Sequence, residues 1–117
     1  MAEFAVVLPI LLLLVFAVAQ LGITFNNYVT LTDATRAGAR VAAVSRLDGN
    51  RVNDTKQKVI DSAGGLGLTS AQVTVSSATW GHGDDVQVTA VYPYSISLFG
   101  LVVKSGNLSS TTTERVE

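Results

Sequence analysis

No cysteine occurs among the 117 residues, so no disulfide can supplement a small core and thiol chemistry is closed to the chain. Histidine and tryptophan occur once each, as His82 and Trp80. His82 stands beside Asp84 and Asp85 in a glycine-rich turn, short of the three or four converging ligands a metal site wants, and reads as part of a solvated turn. Charged residues are scarce, at 15%, and balance to a net charge of -1 with no basic cluster, which removes the footprint of a nucleic-acid partner. No Ser, His and Asp spacing suggests a nucleophilic triad, and no cofactor, metal or nucleotide is expected. An enzyme is the least favoured class.

What the chain has is a long apolar run at its start. Phe4 to Ala19 is uninterrupted, and Leu21, Ile23 and Phe25 extend it. At about 1.5 Å per residue such a rod crosses a bilayer's hydrocarbon, which is roughly 30 Å thick. A secretory signal would show a basic region, a short apolar run and a small-residue cleavage site. Here no basic residue precedes the run, and it passes without a break into helical sequence. The Lys and Arg residues near it lie on its C-terminal side from Arg36 onward, so an exported head requires a basic leader ahead of Met1, removed in processing. Pro9, inside the run, removes one helical hydrogen bond and predicts a kink or local loosening.

From Gln20 the sequence becomes mixed. Tyr28, Leu31, Thr35, Gly38 and Ala42 recur at helical spacing, with Asp33, Arg36 and Arg40 off that stripe, so the same helix leaves the apolar layer and becomes amphipathic. Ala34, Ala37, Gly38, Ala39, Ala42 and Ala43 either allow close approach of another element or simply supply helix propensity. Arg46 to Asn50 stops the helix, with Gly49 and Asn50 suited to a left-handed terminus. Asn53 can cap a second helix over 54–63, with Val52, Val59, Ile60 and Ala63 on one face. Gly64, Gly65 and Gly67 then break it. The alternation of 71–77 and of 85–92 predicts two strands, Val73 and Val75 on one side of the first and Val86, Val88 and Ala90 inward on the second, joined as a hairpin by Trp80 to Asp84. Pro93 ends the second strand or sits at an edge. The apolar stretch 94–103 reads as a short helix or loop on the head, or as a patch that meets a partner, and 106–116 as a third strand.

These readings give an α+β chain in three parts: an apolar membrane-spanning helix over 1–25, its amphipathic continuation over 26–47, and a globular head over 48–117 with one short helix and a three-stranded antiparallel sheet. The head has about seventy residues, near the lower limit for an independent core, so it gains stability from neighbours or from the helix beneath it. Trp80, Tyr92, Tyr94 and Phe99 read as aromatic core or head-to-head packing ahead of an exposed contact surface. The sequons at Asn53-Asp-Thr55 and Asn107-Leu-Ser109 read as coincidence, and Thr111 to Thr113 as strand formers.

Glu3-Phe4-Ala5 followed by Val7-Leu8-Pro9 and the leucine run, then Leu31-Thr-Asp-Ala-Thr-Arg-Ala-Gly-Ala-Arg40, Val91-Tyr-Pro-Tyr94 and the closing Arg-Val-Glu117, resembles the TadE-like branch of the type IV pilin superfamily. The resemblance implies insertion in the bacterial inner membrane as a single-pass protein, removal of the leader by a prepilin peptidase, and assembly by pilus machinery with a cytoplasmic ATPase into an extracellular filament of identical chains and other pilins. Glu3 corresponds to the family acid that contacts a neighbour's new amino group, although that acid is generally the fifth residue. The expected subunit interface comprises Met1, Glu3, Phe4, Val7, Leu8, Pro9, Leu11, Leu12, Val15, Phe16, Ala19 and Ile23. A minor pseudopilin that primes or caps assembly, and a monomeric single-pass anchor with a binding head, are the rival functions.

Glu3 has a physical reason of its own. A carboxylate in an apolar layer costs several kcal/mol unless compensated, and the Met1 amine is the one cation near it in its own chain. In a staggered bundle the amine of one chain meets the acid of the next in a low-dielectric core, which sets register more than it adds stability. Pairing with its own terminus, or solvation at the membrane surface, are the alternatives.

Overall fold

The computed structural model describes residues 1–77, 79–98 and 101–117. Helix α1 runs from Ala2 to Ala43 and helix α2 from Arg51 to Ser62, followed by strands β1 (Val73–Ser77), β2 (Asp85–Leu98) and β3 (Leu101–Arg115). The strands form one antiparallel sheet in the order β1-β2-β3. The fold is therefore α+β, with one helix of 42 residues. At about 1.5 Å per residue α1 alone measures roughly 63 Å. The whole chain extends 71 × 20 × 20 Å, so the head lies beside the C-terminal part of α1 and not beyond its end.

The amphipathic stripe on α1 is the head's foundation. Leu31, Ala34, Thr35, Gly38, Ala39, Ala42 and Ala43 are buried, whereas Asp33, Arg36 and Arg40 face solvent. Their small size serves close approach. A Cβ on Gly38 would overlap the Val59 side chain of α2, and would sit 3.4 Å from the Thr55 carbonyl oxygen. Onto this floor pack Val59 of α2 and Ala63 just beyond its end, Val73 of β1, and Val86, Val88 and Ala90 of β2. The last three alternate along β2, as its period of two requires.

Four hydroxyls tie α1 to β3. Thr35 Oγ1, fully buried, lies 3.0 Å from Thr112 Oγ1 and 3.4 Å from Ser110 Oγ, and donates to the Thr32 carbonyl at 2.8 Å. Ser110 Oγ donates to Thr32 Oγ1 at 3.1 Å. The threonine-rich composition of β3, read from sequence as strand propensity, thus also supplies polar contacts to the helix.

The end of α1 differs from the expected left-handed stop. Asn50 has φ -100°, and Gly49 is not among the glycines of positive φ. Carbonyls at the C-terminus take local donors, the Val44 and Ser45 backbone N–H groups bonding Val41 and Ala42, and distant donors besides. The Trp80 indole Nε1 donates to the Ala42 carbonyl at 3.1 Å, and the Glu117 backbone N–H donates to the Ala43 carbonyl at 3.0 Å. Trp80 is buried, at φ 55°, with the Arg51 guanidinium 4.9 Å above its ring. Asp84 holds this corner by accepting from the Gly81 backbone N–H at 3.0 Å and from the Thr79 hydroxyl. Those bonds, the Thr79 hydroxyl first, lower the Asp84 pKa below its ordinary value of 3.8.

Several boundaries move. Helix α2 begins at Arg51 with Asn50 at its N-cap, so Asn53 lies inside the helix; Val52 is exposed and Ile60 half-buried against the core. Residues 70–72 form a 3₁₀ turn, with Thr69 and Gln72 bonded as a capping box, and β1 starts at Val73. The largest correction concerns the apolar stretch 94–103, which is neither helix nor loop in its described residues. Strand β2 continues through Pro93 to Leu98 and β3 begins at Leu101, making a hairpin much longer than the sequence suggests. Proline is tolerated because β1 pairs only as far as Ala90, leaving that part of β2 with an open edge. Tyr94 pairs with Gly106, and its ring covers the place a Cβ there would occupy. Trp80 is core, Tyr92 is half-buried against the core and Tyr94 half-buried; Phe99 lies outside the described residues.

Candidate assembly surface on the N-terminal helix

Nothing in the head covers most of α1. The first fully buried residue is Leu31, and from Phe4 to Phe25 the large apolar side chains are 41–70% exposed. Burying one such side chain completely contributes about 1.5–3 kcal/mol, so the rod withholds on the order of tens of kcal/mol, more than the roughly 5–15 kcal/mol that stabilises an ordinary domain. The helix is long and apolar enough to cross a membrane, and none of its most apolar window is buried. That separates it from the core helix of a water-soluble fold. Its direct continuation into the packed stripe at Leu31 makes it part of the head's own architecture.

The residues expected at a subunit interface all lie on this bare rod. Met1, Glu3, Phe4, Val7, Leu8, Pro9, Leu11, Leu12, Val15, Phe16, Ala19 and Ile23 are exposed. The helix runs through Pro9 unbroken, although Pro9 brings no N–H to the Ala5 carbonyl. Among the described residues the one ion pair within 4 Å joins Arg36 and Asp33 at 3.8 Å, so Glu3 does not pair with its own terminus. His82 is exposed, and no group of three or more metal-ligating side chains converges among the described residues.

One feature of the rod was not legible in its composition. Ala17, Gln20, Thr24 and Asn27 are half-buried while their neighbours are exposed. They recur at three- and four-residue intervals and continue the line of Leu31, so a single face of α1 is shadowed below the head. At about 100° per residue this face is turned away from Phe4, Leu11, Val15 and Ala19, which remain open.

Residues 1–40 match the family model described as TadE-like protein. The N-terminal segment, about a third of the chain, is similar to that family. The similar segment takes in the bare rod and the Leu31 to Arg40 run. The likenesses at Val91 to Tyr94 and at Arg115 to Glu117 fall outside the match. No curated protein and no solved structure matches the chain.

Proposed function

We propose that the chain is a pilin-like structural subunit, without enzymatic activity, that waits in the inner membrane as a single-pass protein and then packs its TadE-like helix against those of other subunits in an extracellular Tad-type filament. The observation that carries the reading is the bare rod: apolar surface that leaves lipid must be covered, and like helices offer the same chemistry. Transfer from bilayer to bundle then costs little in apolar burial, and the heads remain outside. Glu3 supplies register, its carboxylate meeting the Met1 amine of a neighbour. Prepilin peptidase and the pilus assembly machinery are the partners this reading requires.

A second reading, a minor pseudopilin that primes or caps the filament, is favoured by the match being to the TadE-like family. Copy number divides the two. Quantitative mass spectrometry of sheared surface filaments finds a shaft subunit dominant and a primer scarce. A Glu3→Leu exchange is expected to abolish filaments while leaving membrane insertion intact; normal filaments would defeat the proposed pairing.

A further inference from the structure

The half-buried stripe on α1 continues the face that β3 touches at Thr32 and Thr35. The direction of β3 is set by two contacts: Ser110 meets Thr32 at 3.1 Å and Thr112 meets Thr35 at 3.0 Å. Descending β3 therefore means descending α1 toward its N-terminus. Two strand residues, about 6.6 Å, correspond to three helix residues, about 4.5 Å, so β3 slants along the helix. Leu101 lies nine residues before Ser110, which at the same slant brings it about 20 Å down the axis, level with Val18 to Gln20. The shadow over Ala17, Gln20, Thr24 and Asn27 ends at that level.

That level lies inside the apolar run, which continues to Phe25. Leu101 and Val102 are 74% and 63% exposed there. By the same slant exposed Lys104 falls near Ile23, and half-buried Tyr94, opposite Gly106, falls near Asn26 and Tyr28. Descending the molecule, the order is tyrosine, lysine, then bare aliphatic side chains. This is the order of a membrane interface, with aromatic rings at headgroup depth, a cation reaching phosphate and apolar groups in the acyl layer. We propose that the Leu101–Val102 end of β3 enters the head-side leaflet beside α1, so that the unassembled subunit holds the bilayer at two places. The occupant of the exposed Leu101 and Val102 surface is lipid. This rests on the reading that α1 spans a membrane, and the experiment separates the two.

The absence of native cysteine permits single labels on the full chain. Leu11→Cys, Val102→Cys and Lys58→Cys, each carrying an environment-sensitive fluorophore, are reconstituted into vesicles of phosphatidylethanolamine and phosphatidylglycerol containing an acyl-chain quencher. Loss of fluorescence at Leu11→Cys and Val102→Cys, with none at the α2 position Lys58→Cys, is the expected result. Loss at Leu11→Cys alone, with Val102→Cys open to an aqueous quencher, overturns the hairpin inference and leaves the spanning helix standing. Protection of Val102→Cys from both quenchers assigns that end of β3 to a second copy and also overturns it. Loss at neither position overturns the spanning helix as well.

Discussion

The indole of Trp80 reaches 38 residues back along the chain to bond the Ala42 carbonyl at 3.1 Å. The single tryptophan is thereby the cap of the longest helix, and Arg51 at the start of α2 lies over its ring. Trp80→Phe keeps an aromatic ring but removes one of the two donors to the Ala42 carbonyl, the Ser45 backbone N–H remaining at 3.2 Å. The expected loss is about 0.5–1.5 kcal/mol, read by denaturant unfolding of the full chain in detergent followed by circular dichroism.

Gly38→Ala tests the closeness of α1 and α2. The added methyl overlaps Val59, so the helices must separate, at an expected cost of about 1–3 kcal/mol despite alanine's better helix propensity. Adding Val59→Ala to this background is expected to cost less than Val59→Ala costs alone, because the cavity accepts the new methyl. Equal costs would show that Gly38 does not set the spacing.

How far the sequence spoke for the fold depends on whether a signal was local. The rod, the amphipathic stripe from Leu31 onward and the alternation of Val86, Val88 and Ala90 follow from period alone and stand in the structure, whereas Tyr28, placed on the same stripe, is exposed. The cap of α1 was not legible, because its donors, Trp80 and Glu117, come from distant parts of the chain. The hairpin tip was misread because an apolar run of ten residues carries no decisive period, and Pro93 suggested an end where an unpaired edge tolerates it. For the assembly surface the sequence offered the apolar rod, but not the shadowed face at Ala17 to Asn27, which follows the long-range course of β3 along the helix.

The buried hydroxyl cluster gives a third test. Thr35→Val preserves shape while taking from Thr112 its partner on the helix, Ser110 keeping its bond to Thr32, and an expected loss of about 1–2 kcal/mol follows. Thr35→Val with Thr112→Val removes both partners and is expected to cost less than the two single changes added together. Strict additivity would place the two hydroxyls outside a common network.

Acid should loosen the corner at Asp84. Its folded pKa lies below the ordinary 3.8, so its stabilising bonds are fully present above that value and are lost as pH falls through the lower folded pKa. Acid titration of the full chain, followed by Trp80 fluorescence, is expected to show destabilisation below pH ~4 that Asp84→Asn diminishes. An unchanged acid profile in Asp84→Asn would remove the carboxylate from that role.

The central claim is that residues on the open face of α1 exchange lipid for the helices of other subunits. Its most direct measurement is oxidative cross-linking in cells of a Val15→Cys chain, the label lying on that face in a protein with no other cysteine. Disulfide-linked subunits in the sheared filament fraction are the expected result. Reduced, solitary chains confined to the membrane fraction, in cells that build filaments normally, would contradict it.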